Sequence, residues 1–146
     1  AKFSRSLTPR VGEEICSYGF PLASILASTG SLSVGTLNSL SGIGNNVAEF
    51  QISIPIQPGN SGGPVLNRKG HVIGIILGKL DDAALASATG QIPQNVNFAI
   101  SSLAVNAFLN ANHVPYRRSG WLSFSKSNEK IAAEAQKYTV RVICYR

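Results

Sequence analysis

The sequence predicts an all-β fold, with helices only towards its carboxy-terminal end. Turn signals recur at short intervals: Gly12, "YGFP", "STGS", "SGIGNN", "QPGNSGG", "NRKG" and "ATGQIP". The runs between them are apolar or alternating, and of strand rather than helix length. "NRKG" separates "PVL" from "HVIGIIL", which is the pattern of a hairpin. Strands at this spacing make an antiparallel barrel or sandwich, not a chain of βαβ units.

Taken in order, the predicted strands are 14–18, 32–37, 47–56, 64–66, 71–77 and "VNFAI" at 96–100. Asp81 to Gln94 is small and polar, and reads as a surface loop. "SSLAVNAFLNAN" then places Leu103, Val105, Phe108 and Leu109 near helical spacing, with Ser101 or Ser102 as the cap. That helix closes the domain. "VPYRRSGWLSFSKSN" is a connector. "NEKIAAEAQKY" sets Ile131, Ala132, Ala135 and Tyr138 on one face of a second helix, and "TVRVICY" alternates as a last strand. The expected division is a barrel with its closing helix over 1–112, then a linker and a helix–strand extension over 113–146.

With 146 residues and 44% hydrophobic content, the chain can bury one real core. No apolar run reaches the roughly 18 residues of a membrane span. The chain opens at Ala1 and contains no methionine, so it is expected to be a piece of a longer product. Thirteen basic against seven acidic residues give a net charge of +6, and seven of the basic ones lie between Arg117 and Arg146. No recognition motif accompanies those charges, so a solvated basic tail is favoured over a nucleic-acid surface. Cys16 and Cys144 could bridge the two ends of the chain, or could remain two thiols. Neither histidine has ligand spacing with them, and no metal or cofactor is called for.

The stretch with chemical content is "GNSGGP", Gly59 to Pro64. A serine hydroxyl is a weak nucleophile unless a base takes its proton and nearby donors hold the developing oxyanion. A glycine-rich turn lets backbone N–H groups converge, and those of Gly59 and Ser61 are one residue apart. Gly62 and Gly63 carry no side chains to block a substrate. Pro64 ends the turn and starts the next strand. The alternative is a glycine–serine loop with no chemistry, but the fixed order between an apolar strand and a hairpin is more specific than composition.

"PGNSGGPVLNRKGHVIGI" resembles the nucleophile region of the trypsin-like, chymotrypsin-fold serine peptidases, most nearly the bacterial high-temperature-requirement branch. "LTPRVGEEICSYGFPL", "STGSLSVGTLNSL" and "NVNFAI" are similar to that branch's neighbouring strands. The likeness runs in order over about Leu7 to Asn112, and residues 119–146 fall outside it. It implies the second, six-stranded antiparallel barrel of a double barrel. It implies Ser61 as nucleophile and the Gly59 and Ser61 N–H groups as oxyanion hole. Asn60 stands where the digestive enzymes carry an aspartate, so an activating ion pair with a freed amino terminus is not expected. Pro55, six residues before Ser61, would lie at the base of the primary specificity pocket, with Val96 narrowing its wall. Ile76, Leu77, Gly78 and Lys79 would offer an edge to a substrate backbone. A small or medium apolar side chain is the implied preference.

The same resemblance leaves the triad incomplete. Its histidine and aspartate belong to a first barrel, and no histidine precedes Ser61 here. His71 starts the return strand of the hairpin, on the order of 15 Å from Ser61 at about 3.3 Å per residue, while hydrogen-bond reach is about 3 Å. His113 follows the closing helix, away from the cleft. Asp81 and Asp82 have no histidine to orient. The implied partners are a peptide or unfolded-protein substrate and the absent amino-terminal barrel, with homo-oligomers through the uncovered face. The implied location is extracytoplasmic, periplasmic or secreted. Two other classes stand beside the peptidase half: a pseudoprotease that binds peptides, and a nucleic-acid or membrane-surface binder using the basic tail.

Overall fold

The computed structural model describes residues 1–6, 8–22, 29–79 and 96–144. Six strands, β1 (Glu14–Gly19), β2 (Ser31–Ser39), β3 (Glu49–Ile52), β4 (Pro64–Asn67), β5 (Val72–Lys79) and β6 (Asn97–Ser101), close into a barrel in the order β1-β2-β3-β6-β5-β4. Every pairing is antiparallel. Closure comes from β1 and β4, with Ile15 opposite Asn67 and Ser17 opposite Val65. Helix α1 (Ser102–Ala111) follows β6, and α2 (Asn128–Ala135) follows the connector.

Period-two alternation sorts the apolar residues into two clusters. Ile15, Leu37, Phe50, Ile52, Ile54, Ile56, Val65, Ile73, Ile76 and Ala99 fill the barrel. Their neighbours Cys16, Tyr18, Leu66 and Val72 face outward, where Ile131 and Ala135 of α2 cover them. Strands β1, β4 and β5 therefore carry buried residues on both faces. The face expected of α2 is the face it uses. Ser127 Oγ accepts the Lys130 N–H at its start, and Lys126 Nζ reaches Glu134 Oε2 at 2.6 Å beside it. Cys16 and Cys144 are free thiols, the first buried and the second exposed. Burial, aided by Glu14, pushes the Cys16 thiol up to about 11, so it stays protonated.

The structure departs from expectation in four places. The run 47–56 yields only the four residues of β3, because Pro55 and Pro58 prevent a ladder beyond it, although Ile54 and Ile56 still reach the core. Helix α1, capped by Ser101, turns Ser102 and Asn106 inward and leaves Leu103 and Phe108 exposed, so its packed face is offset from the expected one. Residues Thr139–Cys144 form no strand, and Val140 and Val142 face solvent. A closed barrel, each strand already flanked by two others, leaves them no full edge to join. Finally, the amino terminus takes part in the fold. Ser4 N–H donates to Val72 O, Val72 N–H to Lys2 O and Phe3 N–H to Arg117 O, tying residues 2–4 between β5 and the connector. The loop expected at Asp81 to Gln94 lies outside the described residues.

The contact between α2 and the barrel is testable at Ile131, which is 1% exposed. Ile131→Ala is expected to cost about 2–4 kcal/mol in urea unfolding, the range for emptying a packed aliphatic site. A loss below about 1 kcal/mol would mean that α2 is not part of the cooperative unit.

Candidate active site

Ser61 sits in the turn that carries the chain from the irregular segment 53–58 into β4. Three sets of backbone hydrogen bonds hold this turn. Within it, Asn60 N–H donates to Gln57 O at 3.0 Å and Gly63 N–H to Asn60 O at 2.9 Å. Towards β5, Gly62 N–H donates to Ile76 O and Ile76 N–H to Gly63 O, both at 2.9 Å. Towards the end of β1, Leu22 N–H donates to Pro58 O at 2.8 Å. Gly59 has φ +100, and a Cβ there would run into the Phe20 carbonyl oxygen, so two independent constraints require glycine. Asn60 is buried, with its Oδ1 so close to Gly19 that a Cβ on Gly19 would lie 2.8 Å away.

The N–H groups of Gly62, Gly63 and Asn60 are thus committed. Among the described residues, those of Gly59 and Ser61 donate to no other backbone group. Ser61 is exposed and borders a cavity of about 700 Å³. Its lining includes Pro58, Gly59, Gly62 and Gly63 of the turn, Phe20 and Leu22, Val72 and Ile75 of β5, and Phe3 with Tyr138 to Val142. Its walls are mainly apolar side chains. Burial pushes the Tyr138 hydroxyl up to about 12, with Cys16 and Glu134 adding to it, so this phenol stays protonated and is no base.

The expected site residues are not all brought together. Gly59 and Ser61 share the cavity; Pro55, Ile76, Leu77 and Val96 are absent from its lining. Pro55 is exposed and Val96 half-buried. Ile76 is not open to a substrate backbone as expected, because its N–H and C=O are both taken by the Ser61 turn and its side chain fills the barrel. Beyond it β4 has ended, at Pro64 opposite Ile75, while β5 continues to Lys79. Leu77, Gly78 and Lys79 therefore carry a strand edge that no β4 residue covers, with β6 on the other side. What the sequence reading missed is the cavity wall from Tyr138 to Val142 and from Phe20 and Leu22. "YGFP" read only as a turn, and nothing local marks the tail as a neighbour of Ser61.

Neither histidine lines this cavity. His71 is buried at the far end of the hairpin, where its N–H donates to Asn67 Oδ1 at 3.1 Å. Burial, then Lys126, Lys69 and Lys2, lower its pKa against the opposing pull of Glu134, so it is neutral at neutral pH. His113 follows α1 with φ +56 and is exposed. Among the described residues no group of His, Cys, Asp and Glu is arranged to hold a metal ion.

The closed antiparallel barrel presents Ser61, exposed, in a glycine-rich turn at the edge of a cavity. The profile of the Trypsin-like peptidase domain family matches residues 1–75, just over half of the chain, and the chain belongs to that family. It is 48% identical over 100 residues to y4bJ, an uncharacterised protein of Sinorhizobium fredii, covering 68% of this chain and 16% of that protein. It is 34% identical over 113 residues to the serine protease Do-like HtrA of Lactobacillus helveticus, covering 75% of this chain and 26% of that protein. The chain thus spans well under a third of the length of these relatives. The fold is similar to that of the serine endoprotease from Yersinia pestis, with a TM-score of 0.56 at 21% identity, covering 77% of this chain and 35% of that one.

The turn's dependence on Gly59 can be tested against Gly44, which also has positive φ (+62) but has nothing within 4 Å of a built Cβ. Gly59→Ala is expected to destabilise the chain by about 1–3 kcal/mol more than Gly44→Ala. Equal losses in denaturant titrations would mean that the Phe20 carbonyl yields and that the turn is not clamped.

Proposed function

We propose that this chain is the nucleophile half of a serine endopeptidase that acts on peptides or unfolded proteins. One observation carries the reading: the Ser61 turn commits its other N–H groups, while those of Gly59 and Ser61, beside an exposed hydroxyl, donate to no backbone group among the described residues. In this reading Ser61 Oγ attacks the scissile carbonyl, and its proton passes to a histidine from a preceding barrel. The Gly59 and Ser61 N–H groups hold the oxyanion. The C–N bond breaks as the histidine returns the proton to the leaving amine, and water then releases the acyl group. The open edge at Leu77 to Lys79 receives the substrate backbone by strand addition. Pro55 and Val96, which carry no charge, suit an apolar side chain in the specificity pocket.

The absence of both histidines from the cavity lining favours a second reading for the chain by itself, as a peptide-binding module with an unactivated serine. Among the described residues no helix is long and apolar enough to cross a membrane. An extracytoplasmic location belongs to the proposal, on the strength of the relatives.

Labelling by a fluorophosphonate probe separates the two readings. The chain alone is expected to label negligibly. The chain joined to its upstream coding sequence is expected to label, and Ser61→Ala in that longer form to abolish it. No labelling of the longer form would favour the binding module. Labelling of the chain alone would mean that a base within these residues reaches Ser61.

A further inference from the structure

At the opposite end of the β4–β5 hairpin from Ser61 lies a second cavity, of about 780 Å³, between the amino-terminal segment, the hairpin turn and the connector. Arg5, Arg10 and Lys69 border it, against the single carboxylate of Glu13. The ion pairs among the described residues are Arg68 with Glu14 and Lys126 with Glu134, so none of these three cations is paired there. Glu13 Oε2 instead accepts the Arg10 backbone N–H at 3.2 Å. His71, also on the wall, is neutral and adds no charge of its own.

The cavity is built rather than incidental. Ser4 and Ser119 on its wall are buried, and the Arg5 N–H donates to Ser119 Oγ at 3.0 Å, fixing the connector to the amino-terminal segment. The Arg5 guanidinium lies 4.0 Å from the centroid of the Trp121 ring, which holds both side chains at the rim. Trp121 nevertheless remains 83% exposed, and Leu122 and Phe124 beside it are 88% and 80% exposed. A cationic hollow thus adjoins an uncovered apolar ridge.

We propose that this cavity docks an acidic peptide segment, its carboxylates set among Arg5, Arg10 and Lys69 and an apolar side chain laid against Trp121 and its neighbours. Charge complementarity selects the acid. The arrangement of the cations favours a peptide over a nucleic acid, because they border one hollow instead of tracking a backbone. The site requires nothing of Ser61, so it stands or falls independently of the peptidase reading.

Trp121 is the only tryptophan in the chain, and its emission reports directly on the ridge. The test titrates the whole chain with a short peptide alternating glutamate and leucine, following emission and, in parallel, binding heat. Saturable binding with a blue shift is expected, weakened by salt. Arg10→Ala and Lys69→Ala, neither of which stacks on Trp121, are each expected to weaken it about tenfold. Ser61→Ala is expected to bind like the parent. Equal binding of the glutamine–leucine analogue, saturation by a short oligothymidylate but not by the peptide, or neither heat nor emission change would each overturn the proposal. So would unchanged affinity in both basic-residue variants with native circular dichroism.

Discussion

The pairing of β1 with β4 closes the barrel, and the geometry around Ser61 depends on that closure. With Ser17 opposite Val65, the register delivers the end of β1 to the side of the serine turn. Gly19 then meets Asn60, the Phe20 carbonyl meets Gly59, and Leu22 N–H reaches Pro58 O. From the other flank β5 brings Ile76, whose N–H and C=O engage Gly63 and Gly62. The turn is thus gripped between two strands that are themselves packed on both faces. An electrostatic site works best when its dipoles are fixed before charge develops, and this grip supplies that fixing.

The clamp also explains a division of labour. The chain's own residues can place a hydroxyl and orient donors, since both follow from backbone geometry. Among the described residues neither candidate base serves it: His71 sits at the opposite end of the hairpin, neutral and buried, and the Tyr138 phenol holds its proton. On the proposed reading, activation of Ser61 comes from groups outside the cavity's described lining. The apolar surfaces of Phe20, Leu22 and the segment from Tyr138 to Val142 border the space such a contributor would enter.

Much of this was legible in the sequence because it is local. The "NRKG" hairpin, a serine cap at the start of α1, and the buried face of α2 each follow from short-range chemistry. "GNSGGP" is equally local, since its glycines mark the positive φ values at Gly59 and Gly62. What escaped reading depends on residues distant along the chain. The missing strand at Thr139–Cys144 alternates well enough, but a closed barrel offers it no full edge, and alternation does not report closure. The offset of α1 arises because Ser102 and Asn106, polar in sequence, are buried in the fold. Ile76 looks like one residue of an exposed edge until β4 ends one residue earlier and the serine turn takes over its hydrogen bonds. The role of residues 2–4 rests on Val72 and Arg117, partners distant along the chain.

Residue-resolved amide hydrogen exchange would test the clamped turn most directly. The account predicts slow exchange at Gly62, Gly63 and Ile76, whose N–H groups are bonded, and fast exchange at Gly59 and Ser61, whose N–H groups donate to no backbone group among the described residues. Uniformly fast exchange across residues 59–63 would contradict it, showing that the turn is not preformed. Protection at Gly59 and Ser61 would contradict it as well, because donors already occupied cannot hold an oxyanion.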